Sequence, residues 1–194
     1  MGQWAIQFEE TIFLQSHGTS MGSAFAPSVA GLYVHSVEMK KILNSGNPYF
    51  TNIITWKRYI DDIFIIRQGT SAEVALFMLW FNNIDPHLRF THTVSNESLI
   101  FLDLEIQVDN NKLVTVTHYK PMARNTLLHF NSFHPRTLKE NLPFWQCLRI
   151  RRNCTNLKDF KQQASTLTDK LTASGYPAKV IGPTLKRARN NNCE

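Results

Sequence analysis

The chain has 194 residues, 43% of them hydrophobic, which supplies a core for one domain or for one domain and a small appendage. Cys147, Cys154 and Cys193 form no CxxC pair and leave one cysteine unmatched, which excludes a disulfide scaffold or a zinc finger and fits a reducing, intracellular setting. No apolar run reaches the length of a membrane span, and the net charge of +6 with a pI near 9.3 favours polyanionic partners.

The predicted elements begin with a short apolar segment to Leu14, in which TIFLQ reads as a strand. The polar loop SHGTSMGS follows, and Ala24 to Leu43 reads as a helix with Ala30, Val34, Val37, Met39 and Ile42 near one side. Pro27 is tolerated there because it falls in the first turns. Phe50 to Arg67 reads as two strands rich in β-branched and aromatic residues, joined at Asp61-Asp62. TSAE at Thr70 to Glu73 is a capping box that starts a helix, and Asp85-Pro86 ends it. Three further strands are expected: LRFTHTV, LIFLDLEIQV and KLVTVTHY, with SNES and DNN as turns. In the second of these, alternation predicts that Asp103 and Glu105 share one polar face.

From Pro121 helical spacing replaces strand alternation. A helix, whole or broken at Pro143, is expected over Arg136 to Arg152. Leu157, Phe160, Ala164, Leu167 and Leu171 mark the inner face of an amphipathic helix capped by Gly175. A last helix from Ala178 to Arg189 is expected to be interrupted at Gly182-Pro183. The charge changes as well: residues 1–119 carry 7 Lys and Arg against 11 Asp and Glu, whereas residues 120–194 carry 14 against 4. An acidic part suited to cations therefore precedes a basic part suited to phosphates, although a solvated helical surface would show the same basic excess. The seven histidines have no metal-ligand spacing and read as structural or surface residues. These features give an α+β fold with a domain boundary between residues 1–120 and 121–194.

WKRYIDDIFIIRQG, Trp56 to Gly69, sets two adjacent carboxylates in an apolar run. Buried charge without a partner is costly, so Asp61 and Asp62 call for solvent, a base or a metal. A hairpin tip lets both reach water, and an Asp-rich turn is the plain alternative. Carboxylates held on a strand–turn–strand suit Mg²⁺ in nucleotidyl transfer, where one ion activates a primer hydroxyl and another carries the leaving pyrophosphate.

The motifs Gln15, Gly18, Thr19, Met21 and Gly22, then YIDD at Tyr59 to Asp62, then FLDLEI at Phe101 to Ile106, then YKP, SFHP and SGYP resemble, in order and spacing, the reverse transcriptases of Penelope-like retroelements. The resemblance covers nearly all of the chain. It implies a partial polymerase palm, an antiparallel sheet with packed helices, over residues 1–120 and a basic, helix-turn-helix-like thumb over 121–194. The implied function is that of an RNA-directed DNA polymerase acting on an RNA template and DNA primer, or an RNA–DNA hybrid, with Mg²⁺ or Mn²⁺.

On this resemblance Asp61 and Asp62 are the catalytic metal ligands. Gln15, Gly18, Thr19, Ser20, Met21, Gly22 and Tyr59 line the nucleotide and primer end. The cations Arg149, Arg151, Arg152, Lys158, Lys161, Lys179, Lys186, Arg187 and Arg189 are suited to tracking a phosphate backbone. Such enzymes use a further Asp from an earlier strand, which is not found before Gln15. The expectation is therefore a fragment with an incomplete metal site and little activity alone. The alternative is a non-catalytic nucleic-acid-binding protein that uses the basic helices.

Overall fold

The structure is a computed structural model that describes residues 5–15, 18–20, 22–120 and 127–189. It is an α+β fold whose strands pair antiparallel in three small sheets, ordered β1-β2, β3-β4 and β5-β6-β7. Two compact units divide between Thr91 and His92, and the compositional change at Pro121 falls inside the second.

In the first unit, β1 (Ala5–Phe8) and β2 (Thr11–Leu14) form a hairpin, one strand more than the sequence suggests. Helix α1 (Ala26–Val37) accommodates Pro27 in its first turn and continues into a π-helical turn, Glu38–Ile42, closed by the Leu43 N–H on the Glu38 carbonyl. The extra residue in that turn changes which side chains face inward. Ile42 is buried in the same cluster as Val37, while Met39 is half exposed.

β3 (Ile53–Tyr59) and β4 (Asp62–Arg67) pair with a bulge at Ile54. The bulge changes the parity of the strand, so that Ile53 and Trp56 both pack on the core and Ile54 faces out. Helix α2 (Ser71–Phe81) starts at the expected capping box: Thr70 Oγ1 accepts from the Glu73 N–H and the Glu73 carboxylate accepts from the Thr70 N–H. The backbone hydrogen bond from Thr70 holds the Glu73 carboxyl below its ordinary pKa. The core of this unit is aromatic, with Phe77 stacked on Phe81 at 5.7 Å and Phe81 on Phe90 at 4.0 Å.

LRFTHTV forms no strand. The Asn82 side chain takes both hydrogen bonds of Phe90, accepting from its N–H at 2.7 Å and donating to its carbonyl at 3.1 Å. An amide that occupies both backbone groups replaces the neighbouring strand that the sequence pattern calls for.

In the second unit, β5 (Ser98–Phe101), β6 (Leu104–Asp109) and β7 (Lys112–Thr117) form a meander. LIFLDLEIQV is thus two strands folded about Leu102-Asp103, with Phe101 opposite Leu104. Asp103 is a turn residue and does not share a strand face with Glu105. Its carboxylate instead takes two hydrogen bonds from Arg149, at 2.9 and 2.6 Å.

Three helices complete the unit: α3 (Arg136–Asn153), α4 (Leu157–Ala173) and α5 (Ala178–Arg189). α3 runs unbroken through Pro143, which is fully buried among its core residues, and α5 is continuous through Gly182-Pro183. The side chains that fix the packing are Phe144, Cys147, Leu148 and Ile150 from α3, Phe160, Leu167 and Leu171 from α4, and Ile181 and Ala188 from α5. Leu157, expected on the inner face of α4, is exposed. The β7 edge is covered by the α3–α4 turn, where Thr115 exchanges hydrogen bonds with Thr155 and Asn153. Among the described residues no helix is long and apolar enough to cross a membrane.

Candidate functional site

The carboxylate pair lies at the tip of the β3–β4 hairpin. Tyr59 pairs with Asp62, so the two-residue turn is Ile60-Asp61, shifted one residue towards the N-terminus from the sequence expectation. Asp61, Asp62 and Tyr59 are all exposed. Among the described residues neither carboxylate has a hydrogen-bond or ion-pair partner. Ile60 adopts φ +55°, a left-handed conformation that a β-branched side chain disfavours.

The tip-side half of β3 is held by a buried carboxylate that the sequence reading did not single out. Glu38 accepts from Trp56 Nε1 at 2.9 Å and from Arg58 Nε at 2.8 Å. Removing one partner of a buried ion pair typically costs about 3–5 kcal/mol, because the other is left desolvated. Arg58 also donates to the Ile60 carbonyl at 3.0 Å and to the Gly31 carbonyl at 3.4 Å. Trp56 and Arg58 thus meet on the same oxygen of Glu38, just beyond α1, while Arg58 also reaches Gly31 within that helix.

The Gln15–Gly22 segment precedes α1 in the chain. Gly18 and Gly22 have φ +79° and +93°, so both positions favour glycine on backbone grounds alone. The Gln15 side-chain nitrogen would lie 3.5 Å from a Cβ on Gly18, so these two motif residues meet. Thr19 is half-buried, and the Ser20 hydroxyl is shielded from solvent with no hydrogen-bond partner among the described residues. Met21 lies outside the described residues, as do Cys193 and Pro121 of the YKP motif. Among the described residues no group of three or more His, Cys, Asp or Glu is gathered that could hold a metal ion.

The second candidate surface is helical. Arg149, Arg152, Lys158, Lys161, Lys179, Lys186, Arg187 and Arg189 are exposed, whereas Arg151 is half-buried with its guanidinium 5.8 Å from the Phe160 ring. Two of the exposed cations have partners within the unit: Arg149 holds Asp103, and Arg187 lies 4.1 Å from the Phe144 ring centroid.

Helix electrostatics sorts these cations further. Arg151, Arg152, Lys186, Arg187 and Arg189 sit in the last turns of α3 and α5, where the helix dipole favours them. Lys158 sits in the first turn of α4, where the dipole opposes a cation, so its position is not explained by helix stability.

The α4–α5 connection has the chemistry of a tight helix turn. The Tyr176 N–H bonds the Leu171 carbonyl and the Gly175 N–H bonds the Thr172 carbonyl, with Gly175 at φ +81°. This is a Schellman cap, and its accompanying apolar contact is between Tyr176 and Leu171, both buried. The SGYP motif is thus a four-residue turn, Ser174 to Pro177, between two helices. Sequence reasoning also passed over Trp145, an exposed indole on α3, because α3 carries apolar residues on several sides and offers no single stripe to depart from.

Residues 126–186 match the family profile of the animal helix-turn-helix domain, a span that covers α3, α4 and most of α5. No curated protein and no solved structure matches the chain.

Proposed function

We propose that the protein binds nucleic acid through α3, α4 and α5, and does so as the palm-and-thumb portion of a reverse transcriptase of the Penelope-like kind. One observation carries the binding: the helix-turn-helix match falls on three helices that expose a set of cations. Helix-turn-helix modules dock a helix on a duplex, and exposed Lys and Arg neutralise its phosphates.

The polymerase part of the reading is supported by the hairpin that presents Tyr59, Asp61 and Asp62 together and by the glycine loop at the foot of α1. Carboxylate oxygens are the donors Mg²⁺ prefers, and the ion is commonly held by one or two carboxylates with water and substrate phosphates completing its octahedron. Asp61 and Asp62 fit that role in kind. A bound ion there would lower the pKa of a primer hydroxyl and offset the charge of the departing pyrophosphate. The chain's own contribution is to keep both carboxylates in water at a fixed tip, with Tyr59 available to pack under the primer end. The positive-φ glycines let backbone approach the nucleotide.

The test has two arms. Binding to an RNA–DNA hybrid should weaken steeply as salt is raised; absence of binding at low salt would remove the whole reading. Primer extension on an RNA template with Mg²⁺ or Mn²⁺ should give little or no product from this chain alone. Synthesis that Asp61→Asn abolishes would instead show a complete catalytic centre. Salt-sensitive binding that is indifferent to every substitution at Asp61 and Asp62 favours the second reading, a non-catalytic nucleic-acid-binding protein, which the confinement of the family match to the helices also favours.

A further inference from the structure

Trp145 is 60% exposed, although its neighbour Phe144 is 4% exposed and supplies the core contact at that point of α3. The two rings meet edge to face, 5.2 Å between centroids and 68° between planes, which leaves most of the indole in water. Packing within the unit therefore does not account for the residue. An exposed indole keeps a large apolar surface hydrated, and a surface Trp is among the commonest anchors for a partner.

The surroundings identify the partner's chemistry. Arg149 and Arg152 follow at four and seven residues, so they lie on the same side of α3, about 6 and 10 Å further along its axis. Both are exposed. The nearby acid, Asp103, is held by Arg149 in a pair that is about half exposed on each side, so water and salt screen it. The face is an aromatic plane followed by cations. Leu138, seven residues before Trp145 on the same side of α3, is also exposed, so the apolar area alone does not choose the partner. The cations beyond the indole do: a nucleotide brings a flat π-surface and a phosphate together, and an apolar protein surface on Leu138 and Trp145 would show no preference for the base-bearing probe below.

We propose that Trp145 is a stacking platform for an unpaired nucleobase, with Arg152 holding the adjoining phosphate. The proposal rests on the nucleic-acid binding inferred above and deepens it, since it commits the outer face of α3 to a single-stranded segment. Aromatic stacking of this kind tolerates any base, because every base has a π-face.

The experiment uses the full chain with two probes of equal length: a short single-stranded thymidine oligonucleotide and its abasic counterpart, which keeps the phosphates and lacks the bases. The native chain should bind the thymidine strand more tightly and show quenched tryptophan emission. Trp145→Ala should weaken that binding about tenfold and leave the abasic strand unaffected. Trp145→Phe should restore part of the loss, because a ring that can stack is retained. Equal affinity for both probes, unchanged by Trp145→Ala, would overturn the stacking role while leaving the electrostatic binding intact. Failure of the native chain to bind either probe or the RNA–DNA hybrid would overturn both inferences.

Discussion

Ile60 holds φ +55° at the tip of the hairpin that carries Asp61, with its side chain 63% exposed. A β-branched residue in the left-handed region costs roughly 1–2 kcal/mol, and here little burial offsets it. Ile60→Gly should therefore raise stability by about 1 kcal/mol, the relief of strain being reduced by the backbone entropy of glycine. A urea midpoint that stays level or falls would show that the tip is relaxed. The same φ, near +55°, recurs at Glu9 and Leu102, the first turn residues of two other hairpins. By contrast Asn110-Asn111, at +47° and +61°, has the residue chemistry that such a turn wants.

Asp85 gives the residue scale a pH dependence. Its carboxylate accepts from the His87 N–H at 2.9 Å and from the Tyr33 hydroxyl at 2.8 and 2.9 Å. The backbone bond from His87 is the main reason its pKa lies below the ordinary value, with Tyr33, Lys41 and His87 adding to the effect against the opposing influence of burial. The unfolded chain therefore binds this proton more readily than the folded one. The stabilisation is present above the ordinary carboxylate pKa of about 4 and is lost as pH falls through the depressed folded value. Urea midpoints at neutral and at acid pH should differ less in Asp85→Asn than in the native chain. An equal difference would show that other carboxylates carry the acid sensitivity.

Among the elements, the α4–α5 turn was the most legible. Gly175 was expected as a cap from its place after the apolar stripe of α4, and the Schellman bonds fall there. The structure adds a second demand on that residue: a Cβ on Gly175 would lie 3.1 Å from the His129 ring. Gly175→Ala should destabilise the protein by roughly 1–3 kcal/mol, from the left-handed backbone and the crowding together. Thermal unfolding of that variant is the check, and a melting point within error of the native one would refute both demands.

Elements that depend on distant partners were read less well. LRFTHTV has strand composition, but the Asn82 side chain takes the hydrogen bonds of Phe90, and nothing local in the segment announces that. LIFLDLEIQV alternates well enough for one long strand. Its fold at Leu102-Asp103 is accompanied by contacts from far along the chain, the His118 N–H to the Asp103 carbonyl and Arg149 to the Asp103 carboxylate. The π-turn at Glu38 to Ile42 was invisible for a similar reason. Glu38 is turned inward to meet Trp56 and Arg58, and neither is near it in sequence.

For the molecule as a whole, the informative quantity is how charge is presented. The helices that match the helix-turn-helix profile expose most of the expected cations, yet Arg149, Arg151 and Arg187 are already engaged with side chains of their own unit. Lys158 and Lys161, in the first turns of α4, are better placed to meet an incoming phosphate. Replacing both by Ala should lower the slope of log affinity against log salt by about 2, roughly 1 for each phosphate left without its lysine, and weaken all sequences alike. A slope unchanged by the double substitution would move the binding face away from the start of α4.

Features of short range were written in the amino acids. The capping box at Thr70, the carboxylates at a hairpin tip, the amphipathic α4 with its glycine cap and the basic helices all follow from side-chain period, turn chemistry and charge within a few residues. Folding in three dimensions was needed to set where the compact units part, which cations are engaged within their own unit, that Glu38 anchors the hairpin and that Trp145 faces water. Those outcomes depend on which side chains meet across tens of residues, and such meetings are set by packing and hydrogen-bond satisfaction that no local pattern encodes.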